Sequence, residues 1–250
     1  MAKHAQTARR QGAKPGPPAA TPVAPRPGLG RRAWRWLTRG VLAVLGLYAA
    51  LILAYAVVNP PGNLYMLAEW RRLGPLERVW VPLEKMAPDL ALSVVAAEDA
   101  NFCLHWGFDM VAIRQALDQG AGRGASTISQ QVVKNVFLWQ GRSWVRKALE
   151  AMITPAVELV WSKRRIVEVY LNIAEFDEGV FGAEAAAQHH FRVSASELTA
   201  SQAARLAAVL PDPKGRDAAN PSSFVRKRAA AALDGAATIA ADGRAACFED

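Results

Sequence analysis

From Gly40 to Val58 the chain runs for nineteen residues without a charge, "GVLAVLGLYAALILAYAVV". About 20 apolar residues are what a helix needs to cross the hydrocarbon core of a bilayer. No other feature restricts the fold as strongly, because such a segment must leave water. Trp34 and Trp36 sit before it and Tyr55 near its end, as interfacial aromatics do. A cleaved signal peptide is the competing reading, and Ala54–Ala56 fits a cleavage site loosely. The apolar run is too long and starts too late for that reading. Residues 37–58 are therefore expected to form a transmembrane helix.

The charge distribution gives this helix a direction. The chain carries a net charge of +8, but residues 1–39 hold nine Lys and Arg and no acid. Beyond residue 39 there are 21 basic and 22 acidic groups. The basicity belongs to the tail, so a nucleic-acid-binding domain is not indicated. The positive-inside rule places the N-terminus in the cytoplasm and the remainder outside. Residues 1–33 are rich in Pro, Ala, Gly and Arg and have too little apolar surface to offset chain entropy. Residues 1–36 are thus expected to be a disordered, basic, cytoplasmic tail.

After the helix, "NPPGN" at residues 59–63 breaks regular structure and opens an expected linker over 59–75. Helical periodicity then dominates, with little period-2 alternation, so the fold class is mainly α. Segments such as "LALSVVAAEDANF", "MVAIRQALDQG", "STISQQVVKNVFL" and "SKRRIVEVYLNIAEF" read as helices. A main domain is expected over 76–232, followed by an alanine-rich tail, 233–250, that could continue as a helix or fray. Cys103 and Cys247 have no metal-ligand spacing and read most simply as small fillers; the pair could in principle bridge, but Cys247 lies in an expected loose C-terminus.

Three segments place reactive side chains together. In "AAEDANFCLHWGFD", a continued helix would set Glu98, Phe102 and His105 on one stripe amid alanine and valine. Burial would raise the Glu98 pKa and suit it to general-base work; a helix-end carboxylate paired with an Arg is the alternative. In "GRGASTISQQVVKN", Ser126 or Thr127 can cap a helix, and Thr127 with Gln130 has capping-box spacing. Such a start can bind an anion, and Gln131, Lys134 and Asn135 share one face. A well-capped surface helix is the plainer reading. In "GRSWVRKALEAMITPAVELVWSK", Arg146 and Glu150 stand at i, i+4 beside Lys147, either as a surface pair or as an anion site, with Glu158 roughly on the same face. Phe137, Leu138, Trp139 and Trp144 interleave with Arg142, Arg146 and Lys147. This amphipathic segment, Phe137–Trp144, either dips into the membrane surface or packs in the core.

In order and spacing, "EDANFCLHWGFD", "GASTISQQVVKN", "RKALEAMITPAVELVWSKRRIVEVYLNIAEF", "GVFGAEAAAQHHF" and "LTASQAARLAAVLP" resemble the five motif blocks of the peptidoglycan glycosyltransferases, glycosyltransferase family 51. The resemblance extends from about Pro82 to Arg228. It implies a lysozyme-like, mainly α glycosyltransferase domain with a small membrane-proximal lobe behind one N-terminal transmembrane helix. It implies polymerisation of lipid II into β-1,4 glycan strands, with inversion and release of undecaprenyl diphosphate, during cell wall synthesis. Glu98 matches the family's catalytic base and Glu150 its second glutamate. Ser126, Thr127, Gln130, Gln131, Lys134, Asn135, Arg146 and Lys147 match the sugar and diphosphate path, while Asp99, Phe102 and His105 belong to the first block. Mg2+ or Mn2+ bridging the diphosphate is the implied cofactor.

The implied partners are lipid II, the nascent glycan strand, the membrane and other cell-wall synthesis proteins, with no nucleic acid. The implied location is the bacterial inner membrane, with the catalytic domain periplasmic. The chain has no Ser-x-x-Lys and no Lys-Thr-Gly, so no transpeptidase activity is expected. It departs from the family in Gly124–Ala125, where many members have two glycines, and in His190, where an aromatic is common. A lysozyme-type hydrolase is the nearest rival and an inactive wall scaffold the next. The cations near Glu150 weigh against the hydrolase, and intact Glu98 and Glu150 against the scaffold.

Overall fold

The computed structural model describes Gly12, Gly16, residues 29–118, Gly124 and residues 126–249. Most of the stretch expected to be disordered before residue 29, and Ala125 of the departure from the family pattern, lie outside the described residues. The chain divides into two compact units, Met1–Leu45 and Gly46–Asp250. In the first, the described part of α1 (Leu29–Tyr55) is almost wholly exposed, as a segment meant for lipid would be. Residues 29–36, expected in the disordered tail, are helical. Arg, Ala, Trp and Leu are all compatible with extending a helix already formed by the apolar run.

The second unit is mainly α, as the periodicity implies. It contains α2 (Leu64–Leu73), α3 (Pro88–Glu98), α4 (Met110–Asp118), α5 (Ile128–Phe137), α6 (Trp144–Val160) and α7 (Lys163–Ile173). There follow α8 (Ala183–Phe191), α9 (Ala200–Val209), α10 (Ser223–Ala241) and α11 (Ala246–Glu249). Helix α2 lies inside the stretch read as a linker. It forms because the Asn63 side chain accepts from Met66 N at 2.7 Å while Met66 is buried. Gly74, at φ +88°, ends it.

Helix α3 is apolar all round, with Leu90, Val94 and Val95 fully buried between α9 and α10. The alanine-rich composition of α10 explains how it can lie so close. A Cβ added at Gly235 would come within 3.1 Å of the Ala96 Cβ. The C-terminal stretch, left open by the sequence, is therefore packed helix: Ala236 and Ile239 of α10 and Phe248 of α11 are buried. This packing also corrects the reading of the cysteines. Cys103 and Cys247 form a disulfide, because α11 returns beside the 3-10 turn at Phe102–Leu104.

A second helical layer stacks α5 on α6 and α7. Beside it lies a small sheet, ordered β1 (Glu77–Arg78), β3 (Val180–Phe181), β2 (Glu175–Asp177). Strand β1 runs parallel to β3, and β2 antiparallel. These strands are too short for a period-2 signal to register. Asn172 secures the lobe: its Oδ1 accepts from Val81 N at 2.8 Å and its Nδ2 donates to Val81 O at 2.9 Å.

The last turns of α1 belong to this unit. Tyr48 and Tyr55 pack on Phe137, and Trp161 Nε1 donates to Ile52 O at 2.7 Å. Arg165 satisfies the carbonyls of Tyr55 and Val58 at 3.1 and 2.8 Å. Free carbonyls at a helix end need such a donor, and the dipole favours a cation there.

Candidate active site

Helix α3 ends at Glu98 because Asp99 leaves helical geometry, at φ −162° and ψ 66°. The expected stripe through Phe102 and His105 is thereby broken. Asp99 Oδ1 instead bonds His105 Nε2 at 2.8 Å, while its Oδ2 accepts from Ile128 N at 2.9 Å. Asp99 thus ties the end of α3 to the start of α5. Phe102 is 0% exposed, set edge-on to His105 and packed against Phe248. Both Asp99 oxygens and the Phe102 ring thus help to hold the loop, and Asp99 also lines the cleft beside Glu98.

Thr127 and Gln130 form the capping box that their spacing indicates. Thr127 Oγ1 accepts from Gln130 N at 3.3 Å, and Thr127 N donates to Gln130 Oε1 at 3.1 Å. Thr127 Oγ1 also donates to Gly107 O at 2.7 Å. Both side chains are buried and place the start of α5, and Thr127 also lines the cleft beside Glu98.

The first turns of α5 then present Gln131, Lys134 and Asn135. Gln131 Nε2 donates to Glu98 Oε2 at 2.9 Å, and its Oε1 accepts from Tyr170 OH at 3.2 Å. Burial pushes the Glu98 carboxyl above the usual carboxylate range, opposed in part by the Gln131 bond and by the charges of Arg228 and Lys134. Burial likewise lowers the Lys134 ammonium pKa; Glu150 and Glu98 both act on Lys134 in the opposite sense. Asn135 Oδ1 accepts from Gln140 Nε2 at 2.9 Å.

Glu150 completes the cluster from α6. It is 2% exposed, so its pairing with Arg146 is no surface ion pair. Arg146 donates to Glu150 Oε2 at 2.8 Å, and Lys147 donates to Oε1. Lys147 also donates to Ser126 Oγ at 3.0 Å. Glu158 does not join them. Eight residues at 100° per residue leave it about 80° around the helix from Glu150. There it bonds Ser129 and Lys163.

Glu98 and Gln131, bonded to each other, each line a cleft. One, of about 240 Å³, is lined by Glu98, Asn101, Asp109, Gly124 and Ser126. The other, of about 180 Å³, is lined by Gln131, Lys134, Asn135, Tyr170 and Glu175. A larger hollow of about 800 Å³ beside α2 is mostly apolar, and its lining includes no carboxylate.

Sequence reasoning missed Tyr170, Arg228, Tyr65 and Glu175. A tyrosine on the buried face of α7 must find a partner for its hydroxyl, which was the available signal. Tyr65 OH donates to Glu175 Oε2 at 2.5 Å, a pairing over 110 positions that no local pattern announces.

The amphipathic segment divides. Phe137 and Leu138 enter the core, whereas Trp139 is half-exposed and Trp144 is 91% exposed. Val145, Met152 and Leu159 continue the exposed apolar stripe along α6.

A family model described as Transglycosylase matches residues 66–237. A "Biosynthetic peptidoglycan transglycosylase" of Jannaschia sp. (strain CCS1) is 66% identical over 214 residues, covering 86% of this chain and 90% of that protein. Proteins of the same name from Pseudomonas syringae pv. syringae (strain B728a) and Yersinia pestis (strain Pestoides F) are 52% and 49% identical. They cover 77% and 78% of this chain, and 87% and 86% of their own lengths.

Proposed function

This chain belongs to the transglycosylase family, and we propose that Glu98 is the base through which it builds glycan strands from lipid II. The chain is a peptidoglycan glycosyltransferase of cell wall synthesis. The observation that carries the assignment of roles is the Glu98–Gln131 pair, each member lining a cleft, with Lys134 beside Gln131 in the second.

The reaction joins a sugar hydroxyl to an anomeric carbon that bears a diphosphate-lipid. A hydroxyl is too weak an acid to ionise at neutral pH, so a base must take its proton as the bond forms. Glu98, desolvated and held by Gln131, takes that proton. As the new C–O bond forms, the bond to the diphosphate breaks and the lipid diphosphate departs. It leaves as an anion and needs cations more than it needs an acid. Lys134, Arg146 and Lys147 supply them, and Glu150 holds the last two in place. Attack opposite the leaving group inverts the donor to a β-1,4 link.

Mg2+ or Mn2+ would travel with the diphosphate. Both Glu150 oxygens are engaged by Arg146 and Lys147, so that carboxylate fits no resident ion.

Helix α1 is long and apolar enough to cross a bilayer. The basic residues before it support a cytoplasmic N-terminus. The Cys103–Cys247 disulfide supports the same orientation, since such bonds persist in oxidising compartments outside the cytosol. The exposed stripe of Trp144, Val145, Met152 and Leu159 would then rest on the outer leaflet, where the lipid substrate and product stay.

The test is incubation of the full chain in detergent with lipid II. Glycan polymer is the expected product. Shortening of finished strands with no polymer made would establish hydrolysis instead.

A further inference from the structure

The small lobe carries a second cluster of ionisable side chains that the transfer reaction does not use. It draws on Glu77 of β1, Asp177 of β2, His189 and His190 in the last turn of α8, and Asp217 between α9 and α10. His189 Nε2 lies 3.6 Å from Asp177 Oδ2, and His190 Nε2 lies 3.8 Å from the same oxygen. One atom from each of Asp177, His189 and His190 falls within 4.8 Å of the others. A tetrahedral ion with bonds near 2.0–2.1 Å sets its ligand atoms about 3.3 Å apart. The two histidine–aspartate separations need only a few tenths of an ångström of closure.

The other ring nitrogens face outward to separate carboxylates. His189 Nδ1 is 3.4 Å from Glu77 Oε2, and His190 Nδ1 is 3.9 Å from Asp217 Oδ1. Asp217 is itself held, accepting from Ala219 N at 2.7 Å and Asn220 N at 2.9 Å. Carboxylates behind the far nitrogens are how proteins orient metal-bound imidazoles and fix their tautomer. We propose that Asp177 Oδ2, His189 Nε2 and His190 Nε2 bind one divalent transition-metal ion of the Zn2+ class, with a fourth position left to solvent. Two imidazoles and one carboxylate favour Zn2+, Co2+ or Ni2+ over Mg2+, which selects oxygen. His190 Nε2 gives up only a long 3.4 Å contact with Phe176 O. The ion staples the end of α8 to β2.

The cluster of Asp99, His105 and Asp109 offers no comparable site. Both Asp99 oxygens are bonded, and the Asp109 oxygens accept from Asn101 and from the amides of Val111 and Ala112. The proposal does not depend on the glycan-forming role of the main cleft.

The test uses the full chain, tag-free and stripped of metal, in detergent. Titration with Zn2+ alone should show one tight equivalent per chain and raise Tm. Co2+ at the same stoichiometry should give the visible absorption of a tetrahedral ion. His189→Ala, at an exposed position that the fold tolerates, should remove the equivalent, and Asp177→Asn should do likewise. Glu77→Gln should weaken it about 10–100-fold. Equal concentrations of Mg2+ should not compete. Absence of a stoichiometric equivalent, or its survival in both His189→Ala and Asp177→Asn, overturns the proposal.

Discussion

Lys147 Nζ lies 3.0 Å from Ser126 Oγ, so a cation paired with Glu150 on α6 also grips the loop that leads into α5. Ser126 lines the cleft into which Glu98 opens. A single side chain therefore spans the distance between the two glutamates' surroundings. Glu150 is enclosed and bonded on both oxygens, which leaves it no oxygen free for proton transfer. In the proposed mechanism it holds the cations where a diphosphate can meet them.

That division of labour separates the two cations in stability. The Arg146 side chain is 12% exposed and that of Lys147 is 40%. Removing one partner of a buried pair costs about 3–5 kcal/mol, whereas a more exposed pair contributes up to about 1 kcal/mol. Arg146→Ala should thus lower Tm far more than Lys147→Ala, at roughly 2–4 °C for each kcal/mol. Both should slow polymerisation of lipid II. Equal melting temperatures for the two variants would count against the buried anchoring of Glu150.

For Glu98 the expected signature is loss of rate with retention of fold. Glu98→Gln keeps the size and the capacity to bond Gln131 but cannot take a proton. General-base removal typically costs about 10²–10⁴-fold. Polymerisation measured at saturating lipid II should fall by that range, with circular dichroism unchanged. Full activity in this variant eliminates Glu98 as the base.

Local signals were legible in the sequence and distant partnerships were not. The Thr127–Gln130 box, the order of the helices and the pairing of Arg146 with Glu150 all act across three or four positions. The tie from Asp99 to α5 gave no local signal because its partner, Ile128 N, stands 29 positions away. The disulfide was missed because Cys247 looked stranded in an alanine-rich end. Only the three-dimensional return of α10 along α3 brings it to Cys103. Composition alone did not show that those alanines are what permit the close approach.

The disulfide closes a loop over 144 positions. Loss of a native disulfide costs about 2–5 kcal/mol, chiefly through the freedom regained by the unfolded chain. Cys103→Ser, Cys247→Ser and the double variant should be destabilised alike, and a reductant should bring the unmodified chain to the same Tm. Additive losses in the double variant would mean that the two sulfurs are not bonded to each other.

The raised pKa of Glu98 makes opposite demands on activity and on stability. Burial favours its neutral form in the folded chain, so the folded pKa exceeds the unfolded one. The resulting stabilisation is complete below the unfolded value and is lost as pH rises through the folded value. Above the folded value the protein bears a carboxylate in a site that disfavours it, and that ionised form is the one a general base must use. The acid limb of kcat/KM should lie above the range of an ordinary glutamate. Glu98→Gln should melt higher than the unmodified chain at neutral pH, and this advantage should vanish on acidification. Melting curves over a pH series, set beside the rate profile, test both halves. A variant that melts lower at every pH would show that the ionised carboxylate stabilises the fold, contrary to the burial of Glu98 as the dominant influence on it.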